Sequence, residues 1–255
     1  MTFPIQGLAS VCVLSYNRPA FVREAISSAK VNAGYPCEIV VHDDGSKDPA
    51  VYELLVGLVN TEQISRLILN PTGHNQGVGE SIRAAFGVAS GDVLVKVDQD
   101  MIMSPGWLAK TVAILDAVVH DPVNGSQRVG MVGSLFTYAD LRDERFRTIR
   151  QYDGFKTVTD CVSSAFAIRR DVYEEVGGIS THSDAFAEDV ELKDRLRAAG
   201  YLVVIPDADL AHNRGFGLPF STVVDGQNDD GSYHVHEIHH GPVRFNEASV
   251  VDSDA

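Results

Sequence analysis

Long apolar runs are missing from this 255-residue sequence, and none approaches the roughly 18 consecutive apolar residues that a membrane-spanning helix needs. Residues 1–4 also lack the start of a signal peptide, a basic stretch followed by an apolar one. Cysteine is scarce: Cys12, Cys37 and Cys161 are the only three, and they lie in or beside apolar segments. An odd, sparse set of cysteines favours buried reduced thiols. These absences predict a cytoplasmic protein, with any contact to a membrane being peripheral.

Basic residues are also few, since 21 Lys and Arg face 35 Asp and Glu and leave a net charge of −14. The field of such a chain repels phosphate and disfavours non-specific binding to nucleic acid or anionic lipid. The one basic concentration comprises Arg142, Arg145, Arg147, Arg150 and Lys156. It is interpreted as a solvated loop, with contact to an anionic acceptor or a diphosphate as the alternative. The length and an apolar content of 44% fit one large globular α/β domain, with or without an extension.

Apolar strand-like segments alternate with helical ones in the first half of the chain. The expected strands are 8–15, 38–42, 67–69 and 93–97, and the expected helices are 18–31, 49–59, 77–89 and about 105–119. Asp48 is the expected N-cap of the second helix, with Pro49 at its first position. This alternation predicts a parallel, doubly wound sheet, which binds ligands at the carboxyl ends of its strands.

The second half is less regular. We expect a strand at 158–168, a short helix at 171–176 that ends at Gly177 and Gly178, a helix that ends at Gly200, a strand at 201–205 and a polar turn at 211–215. Beyond about residue 215 the pattern weakens, and 226–231 is turn-like.

Polar residues follow three of the expected strands. Residues 15–18 follow the first strand, Asp43 and Asp44 the second, and Asp98 and Asp100 the fourth. Alternation along an extended chain would place Asp98 and Asp100 on the same side, with Gln99 opposite. Two carboxylates so close repel unless a cation lies between them, and oxygen ligands suit magnesium or manganese. The tripeptide alone is weak evidence; its position after a strand strengthens it.

Short motifs occur along the chain in a family's order. They are VLSYNRP at 13–19, VHDDGS at 41–46, NQG at 75–77, ASGD at 89–92, VDQD at 97–100, GGI at 177–179, AED at 187–189 and RL at 195–196. Over roughly residues 8–215 the chain resembles family 2 glycosyltransferases with the GT-A fold. The QxxRW motif of membrane-embedded synthases is absent, so processive polymerisation at a membrane pore is not expected.

The resemblance implies an α/β architecture: a GT-A fold with a Rossmann-like, mostly parallel central sheet and helices on both faces. The expected organisation is one domain at 1–215, with a nucleotide-sugar half at about 1–105 and an acceptor half at about 106–215. Residues 216–255 would form a partly flexible C-terminal extension or lid. Within it His234, His236, His239 and His240 are interpreted as part of that segment, with a second metal site as the alternative.

The resemblance also implies a nucleotide-sugar site. Tyr16 would stack on the base, and Asp44 would accept a hydrogen bond from the base or ribose; a half-buried aromatic residue and a tight turn are the structural alternatives. Arg18 would contact the ligand or instead balance the charge of its own loop. Gly178 would let the backbone approach the sugar or serve as a helix C-cap. The full expected set is Ser15, Tyr16, Asn17, Arg18, Asp44, Asn75, Asp98 and Gly178.

Metal binding is assigned to Asp100 first, with Asp98 bonding the ribose or bridging to the metal through water. His212 lies just past a strand, as a metal-ligating histidine does in many relatives, and a structural histidine is the alternative. A nitrogen ligand beside carboxylates would favour Mn²⁺ over Mg²⁺. The ion would neutralise the charge that grows on the departing diphosphate.

Asp189 of the AED motif corresponds to the family's catalytic base, which deprotonates the acceptor hydroxyl. The alternative is an acid at a helix N-terminus, stabilised by the helix dipole. Glu188 and Glu191 are interpreted as supporting or surface acids. One base opposite a departing diphosphate implies direct displacement and inversion at the anomeric carbon.

The expected function is therefore an inverting, metal-dependent glycosyltransferase of hexosyltransferase type. It would move one sugar from a nucleoside diphosphate sugar, with UDP favoured, to the hydroxyl of a glycan, a lipid-linked sugar or a small molecule. The alternatives are the same chemistry on a hydroxymethylated base of phage-type DNA, a sugar nucleotidyltransferase, and a non-catalytic nucleotide-sugar binding module. The acceptor, the sugar and the oligomeric state are left open.

Overall fold

Fourteen strands and six helices make up the described part of the chain. The computed structural model describes residues 5–70, 72–121, 125–135, 147–161, 163–180, 187–214, 222–227 and 233–237. The strands are β1 (Ile5–Ser15), β2 (Cys37–Asp43), β3 (Arg66–Leu69), β4 (Gly91–Asp98), β5 (Met101–Met103), β6 (Val118–Asp121), β7 (Gly125–Val132), β8 (Thr148–Gln151), β9 (Phe155–Val158), β10 (Ala165–Arg169), β11 (Leu202–Pro206), β12 (Ala211–Asn213), β13 (Thr222–Gln227) and β14 (Tyr233–Glu237). The helices are α1 (Pro19–Val31), α2 (Pro49–Asn60), α3 (Val78–Val88), α4 (Trp107–Leu115), α5 (Arg170–Glu175) and α6 (Ala187–Ala198).

The central sheet has the order β3-β2-β1-β4-β10-β7-β11-β9-β8. Strands β3, β2, β1 and β4 pair in parallel, as do β7 and β11. Strand β10 runs antiparallel between β4 and β7, and β9 and β8 continue antiparallel beyond β11. The predicted α/β sheet is confirmed, and its parallel first half brings the carboxyl ends of β1, β2 and β4 to one edge.

Helices cover both faces of this sheet, and each face has its own apolar core. Side chains of α1, α2 and α4, among them Val22, Leu55 and Trp107, pack on one face. Side chains of α3, α5 and α6, among them Phe86 and Leu192, pack on the other. Because β4 is covered on both faces, its sequence is an almost continuous apolar run rather than an alternating one.

Helix α2 begins with the N-cap that its sequence predicts. Asp48 is the N-cap, and its carboxylate accepts a hydrogen bond of 2.9 Å from the backbone N–H of Ala50. Pro49 takes the first helical position, where a missing N–H costs nothing. This prediction is confirmed.

Two predicted elements were wrong for identifiable reasons. The helix expected at 105–119 ends at Leu115, because Val118 and Val119 pair with β7 as strand β6. β-Branched residues favour that extended conformation. The strand expected at 158–168 is divided between β9 and β10, because side chains from elsewhere bind the backbone between these strands.

The polar turn expected at 211–215 contains a short strand, β12, which pairs antiparallel with β5. The sequence analysis also missed β5 and β7. Residues 226–227, expected in a turn, belong to β13, which forms an antiparallel hairpin with β14. His234 and His236 lie on β14, whereas His239 and His240 lie outside the described residues.

The basic stretch is described only in part. Arg150 lies on the exposed strand β8, and Arg147 just before it is exposed too. Arg142 and Arg145 lie outside the described residues. Among the residues that are described, no helix is long and apolar enough to cross a membrane. The domain boundary at residue 215 stays a prediction.

A glycine where β1 meets β4 supports a stability prediction. A Cβ atom on Gly91 would lie 2.8 Å from the backbone nitrogen of Ser10 and closer still to the carbonyl oxygen of Leu8. Gly91→Ala should therefore lower the free energy of unfolding by about 1–3 kcal/mol, the usual cost of overpacking. Gly57→Ala is the matched control, because Gly57 is exposed in α2 with open space around it. It should be neutral or slightly stabilising, since alanine favours a helix. Denaturant titration measures both, and equal effects would contradict the prediction.

Candidate active site

The ends of β1 and β2 are joined through the buried carboxylate of Asp43. Ser15 donates its hydroxyl hydrogen bond to Asp43 Oδ2 over 2.9 Å, and the backbone N–H of Ser46 donates to Oδ1 over 2.9 Å. The hydroxyl of Ser46 also donates to Asp43 Oδ2. Both Ser15 and Asp43 are buried, so this network fixes the two loops that leave the sheet edge.

The loop between β1 and α1 is held in an uncommon backbone conformation. Asn17 and Arg18 both have a φ of 56°, in the left-handed region. Non-glycine residues rarely adopt it, and such strain persists only where surrounding contacts enforce it. Those contacts come from the loop after β2: the Asn17 N–H donates to Ser46 Oγ over 2.7 Å, and Asn17 Oδ1 accepts from the N–H of Lys47 over 2.9 Å.

Tyr16 is half-buried, and the side chain of Gln99 binds its backbone on both sides. The Tyr16 N–H donates to Gln99 Oε1, and Gln99 Nε2 donates to the Tyr16 carbonyl, each over 2.9 Å. Burial raises the pKa of the Tyr16 phenol, and the nearby carboxylates of Asp44 and Asp43 raise it further, although a hydrogen bond with Asn17 opposes them. Gln99 had no predicted role; only its position between two aspartates could have indicated one.

Asp44 is buried, and its carboxylate is engaged by the loop after β3. It accepts hydrogen bonds from the backbone N–H groups of Gln76 and Gly77, each at 2.9 Å, and from Asn70 Nδ2 at 2.8 Å. Asn75 is exposed, and its side-chain oxygen accepts from the N–H of Gly77 over 2.9 Å. Asp44 and Asn75 thus organise the loop that precedes α3.

The acidic pair begins at Asp98, the last residue of β4, and a turn follows it. Asp98 Oδ1 lies 2.5 Å from Nζ of Lys96, a side chain that is almost fully buried. The same ammonium group donates to the carbonyl oxygen of Ser163 over 2.8 Å. Because the turn interrupts the strand, the alternation expected from Asp98 to Asp100 does not continue along the chain. The sequence could have indicated this buried ion pair, because Lys96 is the one charged residue in the apolar run V-L-V-K-V.

Asp100 lies near the buried guanidinium group of Arg18. Burial raises the pKa of the Asp100 carboxyl, while the positive charges of Arg18 and Lys96 and a hydrogen bond with Asn213 oppose that rise. Burial lowers the pKa of Arg18, and the charge of Asp100 opposes that change. The charge that faces Arg18 belongs to the turn after β4 and not to its own loop, and contact of Arg18 with a ligand stays a prediction. Lys96 pairs with Asp98, and its charge also lowers the pKa of Asp100.

His212 is not the residue of β12 that contacts Asp100. The side chain of Asn213 makes that contact, and the backbone N–H of Arg214 donates to the Asp100 carbonyl over 2.9 Å. His212 is exposed, on the opposite side of the strand from its neighbour. The sequence analysis chose the histidine for its chemistry, although the register of β12 against β5 decides which side chain faces the acidic turn.

The fit of this site to a divalent cation depends on oxygen donors. Within the described residues, no group of three His, Cys, Asp or Glu side chains is arranged to hold a metal ion. The amide nitrogen of Asn213, however, donates to the Asp100 carboxylate, and the buried Oδ1 of the same amide has no hydrogen-bond partner among the described residues. An amide oxygen is a hard ligand, as a carboxylate is. Asp98, Asp100 and Asn213 therefore suit a hard cation such as Mg²⁺ or Mn²⁺.

Asp189 lies in the first turn of α6, and its partner is the buried Lys193 one turn later. Asp189 Oδ2 is 3.3 Å from Lys193 Nζ. The same ammonium group donates to Asp160 Oδ1 over 2.9 Å and to the carbonyl oxygen of Cys161 over 2.7 Å. Glu191 is exposed on the same helix. Lys193 was missed, although its spacing of four residues from Asp189 predicts a contact on a helix.

Gly178 belongs to the end of α5, where it forms part of a C-cap. Gly177 and Gly178 have φ values of 83° and 68°, and the Gly178 N–H donates to the Tyr173 carbonyl over 2.8 Å. A Cβ atom on Gly178 would lie 3.1 Å from the ring of Tyr173. The C-cap that was one alternative for this residue is present, and the tyrosine fills the space beside it.

Curated relatives of the chain are named glycosyltransferases. An uncharacterised glycosyltransferase of Haemophilus influenzae is 26% identical over 235 residues, which are 88% of this chain and 70% of that protein. The N-acetylglucosaminyl-diphospho-decaprenol L-rhamnosyltransferase of Mycobacterium tuberculosis is 23% identical over 245 residues, covering 80% and 75% of the two chains.

Solved structures with a similar fold contain nucleotide sugars or their parts. The mannosyltransferase PcManGT from Pyrobaculum calidifontis, in complex with GDP-Man and Mn²⁺, matches with a TM-score of 0.56 and 20% identity over 79% of this chain and 55% of that one. GalNAc-T7 with UDP, GalNAc and Mn²⁺ matches with a TM-score of 0.60 and 16% identity over 80% of this chain and 43% of that one. These likenesses show the GT-A fold.

The family model of glycosyl transferase family 2 matches residues 10–177, about two thirds of the sequence. That range contains the network at the ends of β1 and β2 and the acidic pair after β4. The chain belongs to glycosyl transferase family 2, and it is a glycosyltransferase.

Proposed function

We propose that the protein transfers one sugar from a nucleoside diphosphate sugar, of the UDP class, to an acceptor hydroxyl, with inversion and with a divalent cation. The observation that supports this most is the loop between β9 and β10. Lys96 binds the carbonyl of Ser163 and the carboxylate of Asp98, and Lys193 binds the carbonyl of Cys161 and the carboxylate of Asp189. One short loop is thereby linked through Lys96 to the acidic pair and through Lys193 to the proposed base.

The base and ribose would bind beside the β1–α1 loop. The half-buried ring of Tyr16 lies close enough to Asp43 and Asp44 for their charges to affect its pKa, and it would stack on the base. Ser15 and Asn17 would support this ring indirectly, because their side chains bind neighbouring loops. Asp44 already accepts four hydrogen bonds inside the protein. Its contribution to nucleotide binding would therefore come through the shape of the loop before α3.

Asp98, Asp100 and Asn213 would hold the cation. These are oxygen donors, so the preference for Mn²⁺ over Mg²⁺ now rests on structures of similar fold and no longer on a nitrogen ligand. When bound, such an ion supplies Lewis-acid stabilisation of the charge on the leaving diphosphate. Two solved structures of similar fold have Mn²⁺ with a nucleotide sugar or its components, which supports this assignment. Arg18 would add a further positive charge from the protein itself, since it lies beside Asp100.

Asp189 would act as the general base. The acceptor hydroxyl gives its proton to the Asp189 carboxylate while its oxygen forms a bond to the anomeric carbon. The bond between that carbon and the diphosphate oxygen breaks, and the electron pair leaves with the diphosphate. Attack opposite the leaving group inverts the anomeric configuration. This role as base contributes on the order of 100- to 10,000-fold in rate.

A lipid-linked sugar diphosphate is the first acceptor class to test. The mycobacterial relative carries such an acceptor in its name. The net charge of −14 disfavours a DNA acceptor.

Donor binding should be visible as thermal stabilisation. In a panel of UDP-, GDP-, dTDP- and ADP-sugars with Mn²⁺, Mg²⁺ or EDTA, we expect one nucleotide class to raise the Tm only with metal. Saturation at 100 times Kd stabilises the native state by about 2.7 kcal/mol. Asp100→Ala should abolish the shift, whereas Glu191→Ala, an exposed acid on α6, should retain it. Stabilisation that persists in EDTA would contradict metal dependence, and a UDP-sugar without effect beside an active GDP-sugar would correct the nucleotide.

Metal affinity should distinguish the two candidate ligands of β12. Asn213→Ala removes the unpartnered oxygen beside Asp100 and should weaken Mn²⁺ binding by about tenfold or more. His212→Ala removes an exposed ring and should leave binding unchanged. Titration of free Mn²⁺ by electron paramagnetic resonance, in the presence of nucleoside diphosphate, measures both variants. A larger loss in His212→Ala would restore the histidine as the ligand.

Replacement of the base should separate turnover from donor binding. Asp189→Asn should lower kcat by about 100- to 10,000-fold, because an amide cannot take the proton. The thermal shift produced by the donor should remain. Glu191→Gln, on the same helix but exposed, should keep full turnover. Unchanged turnover in Asp189→Asn would remove this residue from the mechanism, and loss of donor binding would indicate a structural role.

A further inference from the structure

We propose that Lys193 is a positioning residue that holds one oxygen of the Asp189 carboxylate in place, and that Asp160 competes with Asp189 for the same ammonium group. This inference rests on the proposed role of Asp189 as general base and extends it to two residues outside the family motifs quoted above.

The geometry of Lys193 leaves it little freedom. Its side chain is 2% exposed, and its ammonium nitrogen has three acceptors, one for each of its three hydrogens. They are Asp160 Oδ1 at 2.9 Å, the Cys161 carbonyl at 2.7 Å and Asp189 Oδ2 at 3.3 Å. A saturated, buried ammonium group cannot change partner without leaving an acceptor unpaired. It therefore fixes where Asp189 Oδ2 lies.

This fixed contact has a consequence for the proton transfer. With Oδ2 directed at Lys193, the other oxygen, Oδ1, is the one that can accept the proton of an acceptor hydroxyl. Asp189 itself is only partly buried, with 19% of its side chain exposed, so an acceptor can reach it. Correct placement of a reacting group is worth large factors in rate, and a shift of about 1 Å can cost about a hundredfold.

The groups around Lys193 influence one another's protonation. Burial lowers the pKa of Lys193, but its hydrogen bond to Asp160 and the charges of Asp160 and Asp189 raise it above its usual value, so the ammonium stays charged. Burial raises the pKa of the Asp160 carboxyl, and its bonds to Lys193 and to the Cys161 N–H outweigh that and lower it, with Arg197 adding to the effect. Burial also raises the pKa of the Cys161 thiol to about 12, so this group remains neutral.

Two carboxylates thus share one buried positive charge. An ammonium group favours the charged form of a carboxylate that it contacts, and a second carboxylate on the same ammonium group weakens that contact. Removal of Lys193 takes a positive charge away from the proposed base, whereas neutralisation of Asp160 takes a negative charge away from its surroundings. The two changes should therefore act on the pH profile in opposite directions.

The test is the pH dependence of kcat/KM in the full-length enzyme with its donor and metal. In Lys193→Met, the acidic limb of the profile should move up by about 1–3 pH units, and kcat on the plateau should fall by about ten- to a hundredfold. In Asp160→Asn the same limb should move down. Lys193→Arg keeps the charge and should return the limb to the wild-type position. Glu191→Gln, an exposed acid on the same helix, is the matched control and should leave the limb in place.

The outcomes separate this inference from the proposed function. If Asp189→Asn abolishes turnover while the Lys193 and Asp160 variants shift no limb, the positioning role is wrong and the base assignment stands. If Asp189→Asn keeps turnover, the base assignment itself is wrong. Should Lys193→Met fail to fold, Asp160→Asn and Lys193→Arg still decide the matter, because a purely structural lysine predicts no downward shift in the former. Limbs that move in the same direction in Lys193→Met and Asp160→Asn would also overturn the inference.

Discussion

Burial of two lysine ammonium groups is the constraint on which the site depends. A charged group removed from water is costly unless it is paired and fully hydrogen-bonded. Lys96 and Lys193 are 4% and 1% exposed, and each is paired with a carboxylate. Each also donates to a backbone carbonyl, and both carbonyls belong to the loop between β9 and β10. The carbonyls of Cys161 and Ser163, between β9 and β10, are thus linked through Lys193 to the first turn of α6 and through Lys96 to the end of β4.

The sheet supplies the other half of the arrangement. Parallel pairing of β2, β1 and β4 aligns the ends of these strands, and Asp43 then joins the first two loops through buried hydrogen bonds. The two halves of the proposed site thus have different kinds of support. The proposed nucleotide side is built from side chains that bind backbone groups of neighbouring loops, and the proposed acceptor side is built from a charge network on a helix.

The sequence was most informative where local chemistry decides the structure. The N-cap at Asp48, the alternation of strands and helices, and the clustering of polar residues at strand ends all follow from short-range rules, and the structure confirms them. It was least informative where distant segments meet. The register of β12 against β5 decides which of its side chains faces the acidic turn. The sequence does not reveal this register, so we assigned His212 to the metal, whereas Asn213 is the residue that contacts Asp100. The assignment of Val118 to a helix failed for the same kind of reason, because pairing with β7 overrides the helical pattern.

The clasp between Gln99 and Tyr16 resembles a rung of a β-ladder in which a side-chain amide replaces a peptide group. It makes the acidic turn and the aromatic residue of the β1–α1 loop one mechanical unit, since either segment would have to break two hydrogen bonds to leave the other. Any movement of the Tyr16 backbone would therefore also displace the turn that carries Asp100. The segment proposed to contact the base and the turn that carries the acidic charge can therefore move only together while both hydrogen bonds remain.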